Sequence, residues 1–459
     1  MKSRSMDMCS GPLLGKMIRY TIPIIFTGVL QLLFNAADMV VVGQFCGRSS
    51  LAAVGATGSL ISLFVNLFTG LSTGAGVTTA QMIGRKHDFD VHKTVHTAIP
   101  LALISGVILT MLGLFGAEPM LHLMGTPESI LPLSALYLRV YFAGITASLV
   151  YNYSAAILRA AGDTRGPMIY LSIAGVLNVL LNILFVTVIE MDVAGVSAAT
   201  SLSNTVAAVL ALRALRKRTD ACRLEWKKMK IYKAMLLRIL RFGIPAGVQG
   251  VIFSASNVLI QSSINSFGEA AVAGGSAASS IEGFVYTAQN AFYQTTMNFV
   301  GQNLGAGNFD RIRKIRRIAL LCVTVTGLIL GSIVYLFSQP LLSLYINGSA
   351  EAIALGQIRI LYICVPYFLC GCMEVMSGTL RGLGASISSM MISLIGVVGF
   401  RITWIFSVFN RIEAFHTLEG LYISYPIAWV ATTVTAYIWS NILLRRMQNT
   451  CTQKTDTEK

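Results

Sequence analysis

RYTIPIIFTGVLQLLFNAADMVVVGQF, residues 19–45, carries a single charge after Arg19, the carboxylate of Asp38. About 20 apolar residues are enough to cross the hydrocarbon core of a bilayer as an α-helix, so this stretch reads as a membrane span. The rest of the chain agrees. Of its 459 residues 54% are hydrophobic and 12% charged, against roughly 25% charged in a soluble domain, and the mean hydropathy is +0.68. Apolar runs recur near 18–43, 51–83, 92–116, 130–159, 167–189, 193–215, 234–267, 271–304, 315–338, 353–380, 385–409 and 418–444. Only helices and closed barrels satisfy their backbone groups in lipid, and runs this long specify helices. The predicted fold class is an all-α polytopic membrane protein of twelve transmembrane helices.

The opening stretch returns later in the chain. RYTIPIIFTGVLQ at 19 is similar to RFGIPAGVQGVIF at 241, which pairs Pro23 with Pro245 at a shift of 222. The same shift aligns LRAAGDTRGPM (158–168) with LRGLGASISSM (380–390), and AQMIGRKHDFD (80–90) matches GQNLGAGNFD (301–310) with one residue fewer. An internal duplication explains all three. Six spans in each half bring both halves into the membrane from the same side, as parallel repeats about an axis along the membrane normal. The expected organisation is an N-lobe at 1–216, a basic cytoplasmic linker at 217–233, a C-lobe at 234–446 and a cytoplasmic tail at 447–459. Transporters built from repeats bind at the repeat interface and alternate access by rocking one half against the other.

The net charge of +15 does not point to nucleic acid, because the basic residues fall in short clusters between apolar runs. Lys2, Arg4, Lys16 and Arg19, then Arg85 and Lys86, Arg159 and Arg165, RALRKRTDACRLEWKKMK (213–230), RIRKIRR (311–317), Arg381, and Arg445 with Arg446 mark one face. Glu118, Glu128, Glu190, Asp192, Glu269, Glu351, Glu413 and Glu419 mark the other. The positive-inside rule places both termini in the cytoplasm. The N-terminus lacks the apolar core of a cleaved signal peptide, so the first span is expected to stay in the mature chain. The eight cysteines are scattered and read as buried small residues, and Cys370-Gly371-Cys372 lacks the second pair of a zinc site. His92 and His96, spaced i, i+4, have Lys93 between them, no carboxylate fixed nearby and a place at the cytoplasmic edge, so no metal site is expected there, and no cofactor is expected. Asn347-Gly348-Ser349 is a glycosylation sequon on an outer loop.

An acid at the centre of a spanning helix costs about 2.5–3.5 kcal/mol on the insertion scale, so Asp38 is expected to face a polar interior. Gln31 and Asn35 precede it at i, i+4, i+7 and share its helical face. Such a carboxyl can exchange a proton in each cycle or ligate Na⁺; it can also serve as a structural acceptor between helices. Asn178 and Asn182 on the fifth span, Asn152 on the fourth and Thr200 on the sixth form a first set of intramembrane polar groups. Asn257 and Gln261 on the seventh span, with Asn290, Gln302 and Asn303 on the eighth, form a second. Interhelical hydrogen bonding competes with ligand contact as the role of each. Glu374 is a further acid within a span and takes the place of Asn152 at the shift of 222, whereas Asp38 is matched by Ile260.

With IPIIFTGVLQLLFNAADMVVVGQFCG, LRAAGDTRGPM, DVAGVSAAT and FVGQNLGAGNFDRIRK, the chain resembles the multidrug and toxic compound extrusion family over essentially its whole length. The resemblance implies a V-shaped twelve-helix antiporter, in two pseudo-symmetric six-helix lobes around a central cleft, that exports amphipathic organic cations in exchange for H⁺ or Na⁺. It implies an ion-coupling set of Asp38, Asn152, Asn178, Asn182 and Thr200, with Asn182 standing where many relatives have an Asp. An amide cannot give up the charge a carboxylate can, so coupling would rest mainly on Asp38. Glu374 lies about one turn past the place of a tenth-helix Asp kept in some branches; it joins Gln31, Asn35, Asn257 and Gln261 as a candidate substrate contact. The expected setting is the bacterial cytoplasmic membrane, as a functional monomer among lipids.

The alternatives are a flippase for a lipid-linked precursor and a membrane-embedded enzyme. Few of the 35 Lys and Arg lie deep inside predicted spans, Arg139, Arg359 and Arg401 among them, which disfavours an anionic headgroup. No HExxH or paired Asp motif lies in the spans, and no GxxxxGK[ST] phosphate loop is present.

Overall fold

The computed structural model describes residues 6–346 and 348–457; Lys2 and Arg4 of the first basic cluster and Asn347 of the sequon lie outside them. The described residues contain helices and no strand. In the first half these are α1 (Leu13–Cys46), α2 (Arg48–Gly84), α3 (Asp88–Leu123), α4 (Leu131–Ala143), α5 (Ile145–Ala160), α6 (Arg165–Val188) and α7 (Asp192–Arg216). In the second they are α8 (Lys233–Asn265), α9 (Glu269–Gly305), α10 (Phe309–Leu336), the short α11 (Ser338–Ser343), α12 (Ala350–Cys364), α13 (Tyr367–Gly382), α14 (Ser386–Phe409) and α15 (Leu418–Cys451). Among the described residues nine helices are long and apolar enough to cross a membrane alone, and the bent pairs α4–α5 and α12–α13 each make one more. The 37-residue α9 has the length but is diluted by Gly, Ser, Gln and Asn; with it the spans number twelve.

The duplication is visible element by element. Gly47 and Gly268, with φ of 89° and 91°, turn the chain into α2 and α9, each 37 residues long. The left-handed φ is open to glycine and strained for other residues. The α4–α5 pair is bent by 45° at Gly144 and the α12–α13 pair by 42° next to Pro366. After each pair comes another glycine at positive φ, Gly162 and Gly384. In the first of these turns the Asp163 carboxylate accepts the Gly166 N–H at 2.9 Å, which is what the GDTRG stretch encodes.

The chain divides into two compact units. Ile22–Val251 form the bulk of the first; Met8–Thr21 and the chain from Ile252 onward form the second. The first is packed around Leu71, Ala75, Val95, Ala98, Val150, Leu158, Ala207 and Ile239. Gly70 and Gly74 of α2 meet Gly243 and Gly247 of α8 so closely that a Cβ on either α2 glycine would strike the α8 backbone. This is the small-residue spacing that lets helices approach where lipid removes the hydrophobic drive between them. The second unit is packed around Ile260, Val285, Tyr367, Met373, Val397, Phe409 and Trp429.

The basic linker is not a free loop. Cys222 and Leu224 are buried, and the Leu224 N–H donates to the Leu215 carbonyl at 3.2 Å. Its Glu225 folds onto the histidine pair of α3, which corrects the expectation that no carboxylate is fixed near His92 and His96. The Glu225 carboxylate lies 3.8 Å from His92 Nε2, and the Glu225 N–H donates to His96 Nε2 at 3.0 Å. Nearby, burial works against the Asp220 carboxylate, but hydrogen bonds and charge from Arg218 outweigh it and hold the carboxyl below its ordinary range. Burial, reinforced by Asp220, pushes the Cys222 thiol up to about 12.

Candidate functional site

Three helices of the first unit converge on Asp38. Phe34, one turn before it on α1, lies where a Cβ at Gly175 of α6 would be, so the missing side chain brings α1 and α6 together. The Asn182 amide on α6 donates through Nδ2 to Asp38 Oδ1 and, at 3.4 Å, to Asn178 Oδ1. Asn178 donates in turn to the Thr200 hydroxyl of α7 at 3.3 Å, and that hydroxyl donates to the Val196 carbonyl at 3.0 Å. Asp38 is half-buried while Asn178 and Asn182 are buried. One polar atom in this network is left over: Asn182 Oδ1 is buried with no hydrogen-bond partner. An unmet buried acceptor costs about 1–3 kcal/mol and calls for an explanation.

Four of the five ion-coupling residues expected from the sequence are therefore joined. The fifth, Asn152 on α5, is half-buried and makes no hydrogen bond to this network. Two residues were missed. Tyr137 and Tyr141, one turn apart on α4, lie close enough for the Asp38 charge to act on both hydroxyls; their i, i+4 spacing was the available signal. A second acid sits two turns from Thr200 at the start of α7. Asp192 accepts the Ser50 hydroxyl at 3.0 Å, and its Oδ1 is buried without a partner. Gln31 and Asn35 are exposed on α1 and stay outside the network.

The second unit carries different polar equipment. The repeat partners of Asp38, Asn178 and Asn182 are Ile260, Phe400 and Trp404, and Ile260 is a core residue. Charge lies instead along the facing sides of α9 and α12–α13. Arg359 donates to Glu282 Oε2 at 2.9 and 3.3 Å, and the Tyr367 hydroxyl donates to Oε1 at 3.2 Å. Glu282 was overlooked in the sequence, although an acid and a base in neighbouring apolar runs were there to be paired. Glu374 is half-buried, with Tyr286 and Tyr293 in range of its charge and Arg381 as the cation acting on it. The Arg381 guanidinium donates to the Tyr293 hydroxyl. Of the remaining candidates, Asn257 is exposed and Gln261 donates to Asn265 at 3.0 Å.

The histidine pair is used up structurally. His96 donates through Nδ1 to the His92 carbonyl at 2.8 Å and accepts the linker amide through Nε2. Among the described residues no group of three His, Cys, Asp or Glu side chains is placed to hold a metal ion.

Comparison with known proteins places these features in context. A family model, MatE, matches residues 23–184 and again 245–406, two matches 222 residues apart. The chain is 25% identical over 440 residues to the probable multidrug resistance protein YoeA of Bacillus subtilis, covering 94% of each chain. It is 24% identical to a FAD transporter of Shewanella oneidensis, over 87% of this chain and 88% of that one. A crystal structure of MATE in complex with MaL6 superimposes with a TM-score of 0.90 at 22% identity, over 98% of this chain and 100% of that one, a likeness of fold.

Proposed function

Because the chain belongs to the MatE family, whose named relatives are transporters rather than enzymes, we propose that it is a secondary antiporter expelling amphipathic organic cations in exchange for H⁺ or Na⁺. The observation that carries this reading is the Asp38 network with its one unmet acceptor. Ionised, Asp38 accepts the Asn182 N–H. Protonated, it needs an acceptor for its own O–H, and half a turn of the Asn182 amide would present the idle Oδ1. A sodium ion would instead draw on the Asp38 carboxylate, the amide oxygens of Asn178 and Asn182 and the Thr200 hydroxyl, all hard oxygen ligands. In either case the only formal charge among these four residues is neutralised when the small ion binds. An entering organic cation competes for that charge, and the competition couples the two fluxes.

Gln31 and Asn35, exposed within two turns of Asp38 on α1, are the first contacts we assign to the substrate. Glu374, Asn257 and Gln261 are the candidate substrate contacts within the second unit. The protein works by alternating access in the bacterial cytoplasmic membrane with both termini inside, as the basic loops direct. The test is reconstitution into liposomes with an imposed ΔpH or ΔpNa and ethidium as the transported dye. One of the two gradients drives export in the wild type. Asp38→Asn folds but transports no dye against its gradient; wild-type transport by that variant would remove the assignment.

A further inference from the structure

Arg401 lies on α14, inside the second unit, with 7% of its surface open. Its Nε is buried without a hydrogen-bond partner, and the guanidinium makes no hydrogen bond or ion pair among the described residues. What it does touch is the face of Tyr425, 3.8 Å from the ring centroid. The terminal nitrogens are not among the buried atoms and remain open to a partner; a buried Nε without an acceptor is unfavourable, and a ring quadrupole offsets only part of that.

Neither acid in this part of the unit is paired with it. Glu282 is engaged at both oxygens by Arg359 and Tyr367. Arg381 is the cation that acts on Glu374. A second guanidinium flanks the same aromatic pair: Arg359 stands 5.8 Å from the Tyr422 centroid, and its charge interacts with Tyr425. The surroundings of Tyr425 thus hold two buried arginines and, in Glu282, one committed carboxylate. The scaffold does not demand the charge, because the repeat partner of Arg401 in the first half is Val179.

We propose that Arg401, seated on Tyr425 with Arg359 beside it, is a subsite for an anionic oxygen group: the carboxylate of a zwitterionic amphiphile. This rests on the transport reading above and extends it, since the first unit attracts cations through Asp38 whereas this subsite takes the opposite charge. A guanidinium fork matches a carboxylate through two parallel N–H donors, which an ammonium cannot supply.

Two dyes with one ring system test it: rhodamine 123, a cationic methyl ester, and rhodamine 110, the corresponding free acid, zwitterionic at neutral pH. Binding to the purified full chain is read by fluorescence anisotropy, and transport in the reconstituted vesicles. Arg401→Gln is expected to weaken rhodamine 110 by about tenfold or more while rhodamine 123 changes less than about twofold. Arg401→Lys, which keeps the charge without the fork, falls between, and it serves as the test if the Gln variant does not fold. Equal weakening of both dyes, or of neither, overturns the proposal. If the wild type moves neither dye against its gradient, the transport reading itself fails, whereas selective binding of rhodamine 110 in detergent would still support the subsite.

Discussion

Replacing Glu282 by Gln should cost more than any hydrogen-bond count suggests. Arg359 is 8% exposed and receives its compensation from one carboxylate, which accepts its Nε at 3.3 Å and one terminal nitrogen at 2.9 Å. Removing the negative charge leaves a buried cation unmatched, a loss of about 3–5 kcal/mol. Removing both charges in Glu282→Leu/Arg359→Met takes away two desolvation penalties along with the attraction, and the net effect should lie within about 1 kcal/mol of wild type or be stabilising. The assay is equilibrium unfolding of the purified protein in mixed micelles, followed by circular dichroism, with the four proteins of a double-mutant cycle measured in parallel. A single variant that loses less than about 1 kcal/mol, or a double variant as unstable as the single, would refute the reasoning.

Two further outcomes follow from the same geometry. Asn182→Ala removes the amide whose N–H donates to Asp38 and whose Oδ1 is idle; with Na⁺ as the coupling ion, loss of that oxygen ligand should lower Na⁺ affinity about tenfold, with dye binding little changed in a filter assay. In the linker, the Asp220 carboxyl is held below its ordinary range, so its contribution to linker docking is present above the unfolded value near 3.9 and is lost as pH falls through the lower folded value. Cys222 alkylation, quantified by mass spectrometry and normalised to denatured protein at each pH, should stay flat from about pH 8 to 5, and Asp220→Asn should raise it throughout that range.

The duplication and the span count were legible because lipid imposes them: every span needs its run of apolar residues, and two halves entering from one side repeat their glycine and proline breaks at a fixed shift. Asp38 was legible for the same reason, as a charge where charge is costly. The Asp38–Asn182 bond was not, since a helical face states which side chains point together but not which helix answers them. Tyr137 and Tyr141 were hidden by their apolar bodies, which read as ordinary membrane residues. Glu282 was hidden in the polar dilution of α9, where an acid stands out less than in α1. The docking of Glu225 on His92 and His96 joins residues 129 or more apart and rests largely on a backbone N–H, which no residue pattern encodes.

The exchange at Asp38 is tested most directly by what leaves the protein when a substrate arrives. In weakly buffered detergent solution, ethidium is added to purified protein while a pH indicator and a sodium electrode record release. About one H⁺ or one Na⁺ per bound dye should leave the wild type and none should leave Asp38→Asn. Equal release from both proteins would contradict the account.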